Sequence, residues 1–183
     1  MVDTSKMIHL TINGIQASVP EGTTILEAAK SVGITIPTLC LLKELNEIGA
    51  CRVCMVEVEG YRKLFAACNN AVWDGMVVRT RTKKVLETRK ANVEMMLAEH
   101  NVECTNCVRS GNCSLQSVAN DLNIQKVRFK KNLPVKKKTN ESFPLIRDYE
   151  KCIKCMRCVQ VCDKVQCSRV WDVINKIGRA SCR

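Results

Sequence analysis

Aromatic residues make up only 4% of this 183-residue chain, and it holds just two histidines and four prolines. So few rings leave little for the base stacking that holds single-stranded nucleic acid. No uncharged run approaches the roughly 18 residues of a membrane span. The opening MVDTSKMIHL lacks the apolar stretch of a secretory signal. The chain is therefore expected to be soluble and cytoplasmic. Neither a G-x-G-x-x-G fingerprint nor a P-loop is present. Acidic residues are the minority, 18 against 29 Lys and Arg, for a formal charge of +11. That excess first points to a polyanion or an acidic protein partner.

Cysteine is the exception, at 13 residues. Disulfides are rare in the cytoplasm, so C-x2-C pairs there point to metal binding or redox work, and an odd total fits a disulfide framework poorly. A first group, Cys40, Cys51, Cys54 and Cys68, is spaced C-x10-C-x2-C-x13-C. Four thiolates are what a [2Fe-2S] cluster requires, and they also close a structural zinc site. A second group, His100, Cys104, Cys107 and Cys113, is spaced H-x3-C-x2-C-x5-C. A lone histidine at a helix end is normally a packing residue, but three cysteines following within thirteen residues make this one a metal-ligand candidate. His9, inside a strand, keeps the packing reading.

The third group, Cys152, Cys155, Cys158 and Cys162, is spaced C-x2-C-x2-C-x3-C. In bacterial ferredoxins such a run gives three ligands to one [4Fe-4S] cluster and its fourth to a neighbour. Asp163 stands where that motif has proline, and no second run follows. Cys152, Cys155 and Cys158 are thus expected to converge, with Cys162 directed elsewhere and the site left incomplete. Cys167 and Cys182 read as free thiols.

The N-terminal MIHLTINGIQASVP reads as two strands turning at Asn13-Gly14. TTILEAAKSVG reads as a helix capped by Thr23 or Thr24 and stopped by Gly33. Strands follow near 54–59 and 76–80. This order is β-grasp-like α+β. Residues 82–100 form a helix with Val85, Leu86, Val93, Met96 and Leu97 at helical spacing, and a shorter helix covers 114–122. FPLIRDYEKC reads as a strand leading into the third group. Between Lys126 and Lys138 stand seven basic residues and no acidic one. This stretch reads as a solvated linker, and its functional reading is a docking surface for an acidic electron carrier.

The order of these three groups resembles the N-terminal electron-relay region of [FeFe] hydrogenase catalytic subunits, a plan shared with the complex I large iron-sulfur subunit and related formate dehydrogenases. The stretches IPTLC (36–40), NEIGACRVCMVEVEG (46–60) and CTNCVRSGNCSLQ (104–116) carry the likeness. They look most like the hydrogenase branch. The resemblance implies a β-grasp [2Fe-2S] domain over 1–80 and a helical [4Fe-4S] domain with one His and three Cys ligands over 81–125. A basic linker over 126–142 and a truncated [4Fe-4S] ferredoxin domain over 143–175 follow. It implies single-electron relay between a redox partner, either ferredoxin or a flavin- or NADH-oxidising subunit, and a catalytic domain outside this chain. A hetero-oligomer follows from that. No catalytic centre is expected in the chain itself. Residues 177–183, IGRASCR, match one reading frame of a common sequencing adapter, so 176–183 is read as a non-native tail. A zinc-stabilised nucleic-acid-binding protein is the competing class, disfavoured because no finger or recognition-helix pattern appears.

Overall fold

The computed structural model describes residues 6–133, 148–174 and 179–182. Asn13 and Gly14 both take positive φ, 50° and 87°, as a two-residue hairpin turn between twisted strands needs. They join β1 (Met7–Ile12) to β2 (Ile15–Pro20), with Ile12 opposite Ile15. Alternation places Ile8, Leu10, Ile12, Ala17 and Val19 inward. The Asn13 amide donates to Thr80 Oγ1 at 2.7 Å and its carbonyl oxygen accepts the Thr80 N–H at 2.8 Å. The hairpin turn is thereby tied to the end of a distant strand.

The helix α1 (Ile25–Ser31) starts at a capping box: Thr24 Oγ1 accepts the Glu27 N–H, and the Glu27 carboxylate reaches back to the Thr24 N–H. It ends where Gly33 turns left-handed (φ 76°), with the Ile34 N–H bonded to the Ala29 carbonyl at 2.9 Å. Ile25, Ala28 and Ala29 pack against the sheet. Three further strands, β3 (Met55–Val58), β4 (Leu64–Ala66) and β5 (Val77–Arg79), complete a five-stranded sheet in the order β2-β1-β5-β3-β4. Only the β1–β5 pairing is parallel. The fold is mixed α+β.

Thr82 caps α2 (Lys83–Ala98) through a 3.3 Å bond from the Val85 N–H. Val85, Val93 and Leu97 are buried as the spacing predicts, and Met96 is half-buried. Leu86 is exposed, because it lies one residue around the helix from Val85. With α3 (Ser114–Asp121), α2 builds a second core of Val93, Leu97, Leu115 and Val118. That core also takes in Leu39, Cys40, Cys51 and Val53. Residues from both sides of position 80 thus share this second core.

Glu94 on α2 is fully buried, and its Oε2 accepts a 2.6 Å bond from Arg128 Nε. Val127 packs on the second core, and the Asn132 N–H bonds the Ala98 carbonyl at 2.8 Å. The described part of the basic stretch, 126–133, thus lies against α2. Arg128→Ala strands a buried carboxylate and should cost about 3 kcal/mol, the low end for a broken buried pair because Arg128 itself is largely exposed. Urea unfolding of Arg128→Ala, compared with Glu94→Gln/Arg128→Ala, measures this. The double variant should recover part of the loss.

The reading of FPLIRDYEKC as a strand is corrected where it can be seen. Tyr149–Lys151 form a turn of 3-10 helix, begun by the Asp148 carboxylate accepting the Glu150 N–H at 2.9 Å. Phe143–Arg147 and Lys136–Lys138 lie outside the described residues. Helix α4 (Arg157–Lys164) carries Cys158 and Cys162, and β6 (Trp171–Ile174) pairs antiparallel with β7 (Arg179–Cys182), which falls in the tail read as non-native.

Candidate metal centres

The first group is drawn together between the two cores. Cys54 and Cys68 belong to the first core, Cys40 and Cys51 to the second. After Cys40 the chain closes on itself, the Asn46 N–H bonding the Leu42 carbonyl at 2.7 Å and the Leu42 N–H returning to the Asn46 carbonyl at 3.2 Å. Gly49 (φ 63°) and Arg52 (φ 52°) then turn left-handed on either side of Cys51. A Cβ on Gly49 would stand 3.0 Å from the side-chain amide of Asn69, the neighbour of Cys68, so glycine is required by conformation and by space.

All four thiols are buried, and the Cys51 N–H donates to Cys40 Sγ at 3.5 Å. The four lie close enough to perturb one another, Cys51 and Cys68 acting on Cys40 and Cys68 on Cys54. Cys51 and Cys68 push the Cys40 thiol well below its ordinary value, and Cys68 pushes Cys54 down to about 7. Cys51 and Cys68 are themselves pushed up by those same neighbours and by burial. Such a set, half of it already disposed to ionise, fits a centre that takes four thiolates. Beside it, Arg89 of α2 gives two hydrogen bonds to the Met55 carbonyl, from Nε at 3.0 Å and Nη2 at 2.7 Å.

In the second group His100 follows α2 by two residues, its N–H bonded to the Leu97 carbonyl at 3.2 Å. Its ring Nδ1 is buried without a hydrogen-bond partner among the described residues. Burial, with the nearby Lys151 ammonium adding to it, pushes the imidazole pKa down. A neutral ring with an unpartnered nitrogen suits a metal ligand. Cys104 opens a 3-10 turn, the Cys107 N–H closes on the Cys104 carbonyl at 3.2 Å, and Cys113 precedes the first residue of α3. All three are half-buried, and among the described residues no hydrogen bond joins these thiols to one another or to His100.

In the third group Lys154 and Met156 take positive φ, 55° and 66°, curling the run between its first three cysteines. The Lys154 N–H donates to Cys152 Sγ at 3.4 Å. Burial pushes the Cys155 thiol up, and the charges reaching it are those of Arg157, Cys152 and Cys158. Cys162 is buried, and its Sγ shares a 3.2 Å hydrogen bond with Ser168 Oγ. Cys167 is exposed; the Cys182 side chain lies outside what is described. His9 points outward from β1, its backbone N–H bonded to Asp74. Among the described residues no three His, Cys, Asp or Glu side chains close around a volume fit for a single metal ion.

The third group docks on the other two. Asn46, fully buried, gives one N–H to the Cys40 carbonyl at 2.7 Å and the other to the Cys155 carbonyl at 2.8 Å. Arg157 bonds the carbonyls of Cys40 (3.2 Å) and Leu41 (2.7 Å), and Lys164 that of Leu45 (2.7 Å). On the other side Lys151 bonds the Asn101 carbonyl at 2.8 Å, the Asn101 N–H bonds the Glu150 carbonyl at 2.8 Å, and Lys154 pairs with Glu99. Asn46 and Arg89 carry no signal in the sequence, since neither lies in a spacing that marks a ligand.

Three family models match in chain order: a 2Fe-2S iron-sulfur cluster binding domain over residues 5–83, an NADH-ubiquinone oxidoreductase-G iron-sulfur binding region over 89–128, and a 4Fe-4S binding domain over 145–164. Fold, thiol groups and these matches define an iron-sulfur module with [2Fe-2S] and [4Fe-4S] centres. The chain is 35% identical over 170 residues to the NAD-reducing hydrogenase HoxS subunit gamma of Cupriavidus necator, covering 92% of this chain and 72% of that subunit. It belongs to the same family as that subunit. It is also 41% identical over 175 residues to the NADP-reducing hydrogenase subunit HndD of Solidesulfovibrio fructosivorans, but spans only 30% of that protein's length. A crystal structure of an NAD+-reducing [NiFe]-hydrogenase in the H2-reduced state superposes with a TM-score of 0.84 at 27% identity, over 96% of this chain and 74% of that one. Among the described residues no helix is long and apolar enough to cross a membrane.

Proposed function

We propose that this chain is the electron-relay segment of an NAD(P)-linked oxidoreductase complex, passing single electrons between a flavin- or NADH-oxidising partner, or a ferredoxin, and a catalytic centre on another domain or subunit. The observation that carries the reading is the buried set of Cys40, Cys51, Cys54 and Cys68, gathered where the two cores meet. These four would hold the [2Fe-2S] cluster on a β-grasp scaffold; His100, Cys104, Cys107 and Cys113 would hold a [4Fe-4S] cluster; Cys152, Cys155 and Cys158 would supply three ligands of another. Bound there, iron-sulfur clusters accept and release one electron at a time. The chain's residues fix the thiolates, keep water from the first site, and hold the three sites against one another through Asn46, Arg157 and the Asn101–Glu150 contact.

The likeness to [FeFe] hydrogenase subunits is finer than the relatives warrant, because NAD-reducing hydrogenase and the complex I-type iron-sulfur region match as well. The proposal therefore rests on the NAD(P)-linked level they share. Purification without oxygen tests it: the protein should be brown and, after one-electron reduction, give an S = 1/2 signal of [2Fe-2S] type. Colourless protein carrying stoichiometric zinc would overturn it.

A further inference from the structure

We propose that the buried guanidinium of Arg89 raises the reduction potential of the centre held by Cys40, Cys51, Cys54 and Cys68, acting as a fixed positive charge locked to the backbone beside Cys54. The inference rests on the reading of that group as a [2Fe-2S] site.

Arg89 is only 4% exposed. Both of its hydrogen bonds go to one neutral acceptor, the carbonyl of Met55, the residue after Cys54. Among the described residues no carboxylate forms an ion pair with it. The charges that reach it are the Cys54 thiolate, which stabilises it, and Arg81, which does not. A buried charge normally finds a counter-charge. Here the negative partner is the thiolate group itself.

The sign follows from electrostatics. Adding an electron makes an already anionic four-thiolate centre more negative. A positive charge close by, in a medium that screens poorly, stabilises the reduced state more than the oxidised one. Two parallel N–H bonds to one carbonyl fix the charge in place. Lysine keeps the charge but cannot reproduce the fork. Arg89 also lies on α2, the first position of the segment matching the second iron-sulfur region, so the first site draws its compensating charge from the module that follows it.

The test is a mediated redox titration of the full chain, loaded anaerobically, following the [2Fe-2S] S = 1/2 signal. Four proteins are compared: the parent, Arg89→Lys, Arg89→Gln, and a chain with citrulline in place of Arg89. Citrulline keeps the shape and both donors to Met55 and loses only the charge, so it reads the effect even if Arg89→Gln fails to assemble. At a fixed ambient potential the neutral replacements should lower the reduced-to-oxidised ratio about tenfold, equivalent to a midpoint about 59 mV more negative for one electron. Arg89→Lys should stay within about threefold of the parent, and the difference should persist at high salt because buried charges are screened little. A citrulline protein with the parent's midpoint overturns the proposal, as does a lysine protein that falls as far as the glutamine one. A parent without the signal would instead refute the [2Fe-2S] reading.

Discussion

Cys54→Ser is expected to abolish the S = 1/2 signal of the first centre while leaving the iron of the second in place. Cys54 is completely buried in the first core. The neighbouring Cys68 pushes its thiol pKa down to about 7. A hydroxyl there keeps its proton and offers iron a poor ligand. It also leaves a buried polar group without its sulfur partner, at a cost of about 1–3 kcal/mol. The expected loss is about two iron atoms per chain, with the signal. Cys107→Ser should have the complementary effect, removing about four iron atoms and sparing the signal. Iron analysis with spectroscopy on both variants measures this, and a Cys54→Ser protein with an unchanged signal would exclude Cys54 as a ligand.

The second large effect concerns the third group. Anaerobically purified protein should hold about six iron atoms tightly, from one [2Fe-2S] and one [4Fe-4S] centre, with variable additional iron. The charges of Cys152 and Cys158 both reach Cys155, whereas Cys162 is engaged by Ser168. Three cysteines without a fourth favour a labile, three-iron form. Cys162→Ser should leave the iron content unchanged, and Cys155→Ser should remove the variable fraction. A stable total of about ten iron atoms, retained when Cys167 and Cys182 are both replaced by Ser, would show that Cys162 closes the site.

Much of the first module was legible because its signals are local. Asn13-Gly14 dictates its hairpin, and Thr24 and Gly33 bound their helix through capping bonds that depend on neighbouring residues. The 3.6-residue spacing of Val85, Val93 and Leu97 reports a real buried stripe. The strand β4, Leu64–Ala66, escaped notice because it is short and has no β-branched residue, whereas the equally short β5 carries the valine pair Val77-Val78. The segment before Cys152 misled because a run of apolar and charged residues does not disclose a 3-10 turn set by the Asp148 side chain. Ligand spacing identified three groups of cysteines but said nothing of their mutual placement. That depends on Asn46, which joins the carbonyls of Cys40 and Cys155 across 109 positions of sequence, and no local pattern announces such a contact.

The division of the first centre between two cores also bears on how the centre is expected to be filled. Cys54 and Cys68 are packed by the sheet and α1, whereas Cys40 and Cys51 are packed with α2 and α3 around Leu39 and Val53. In the folded chain none of the four cysteines is more than 6% exposed. Biogenesis of the first centre is expected to be fastest on the nascent or partly folded chain and slow on apoprotein already closed.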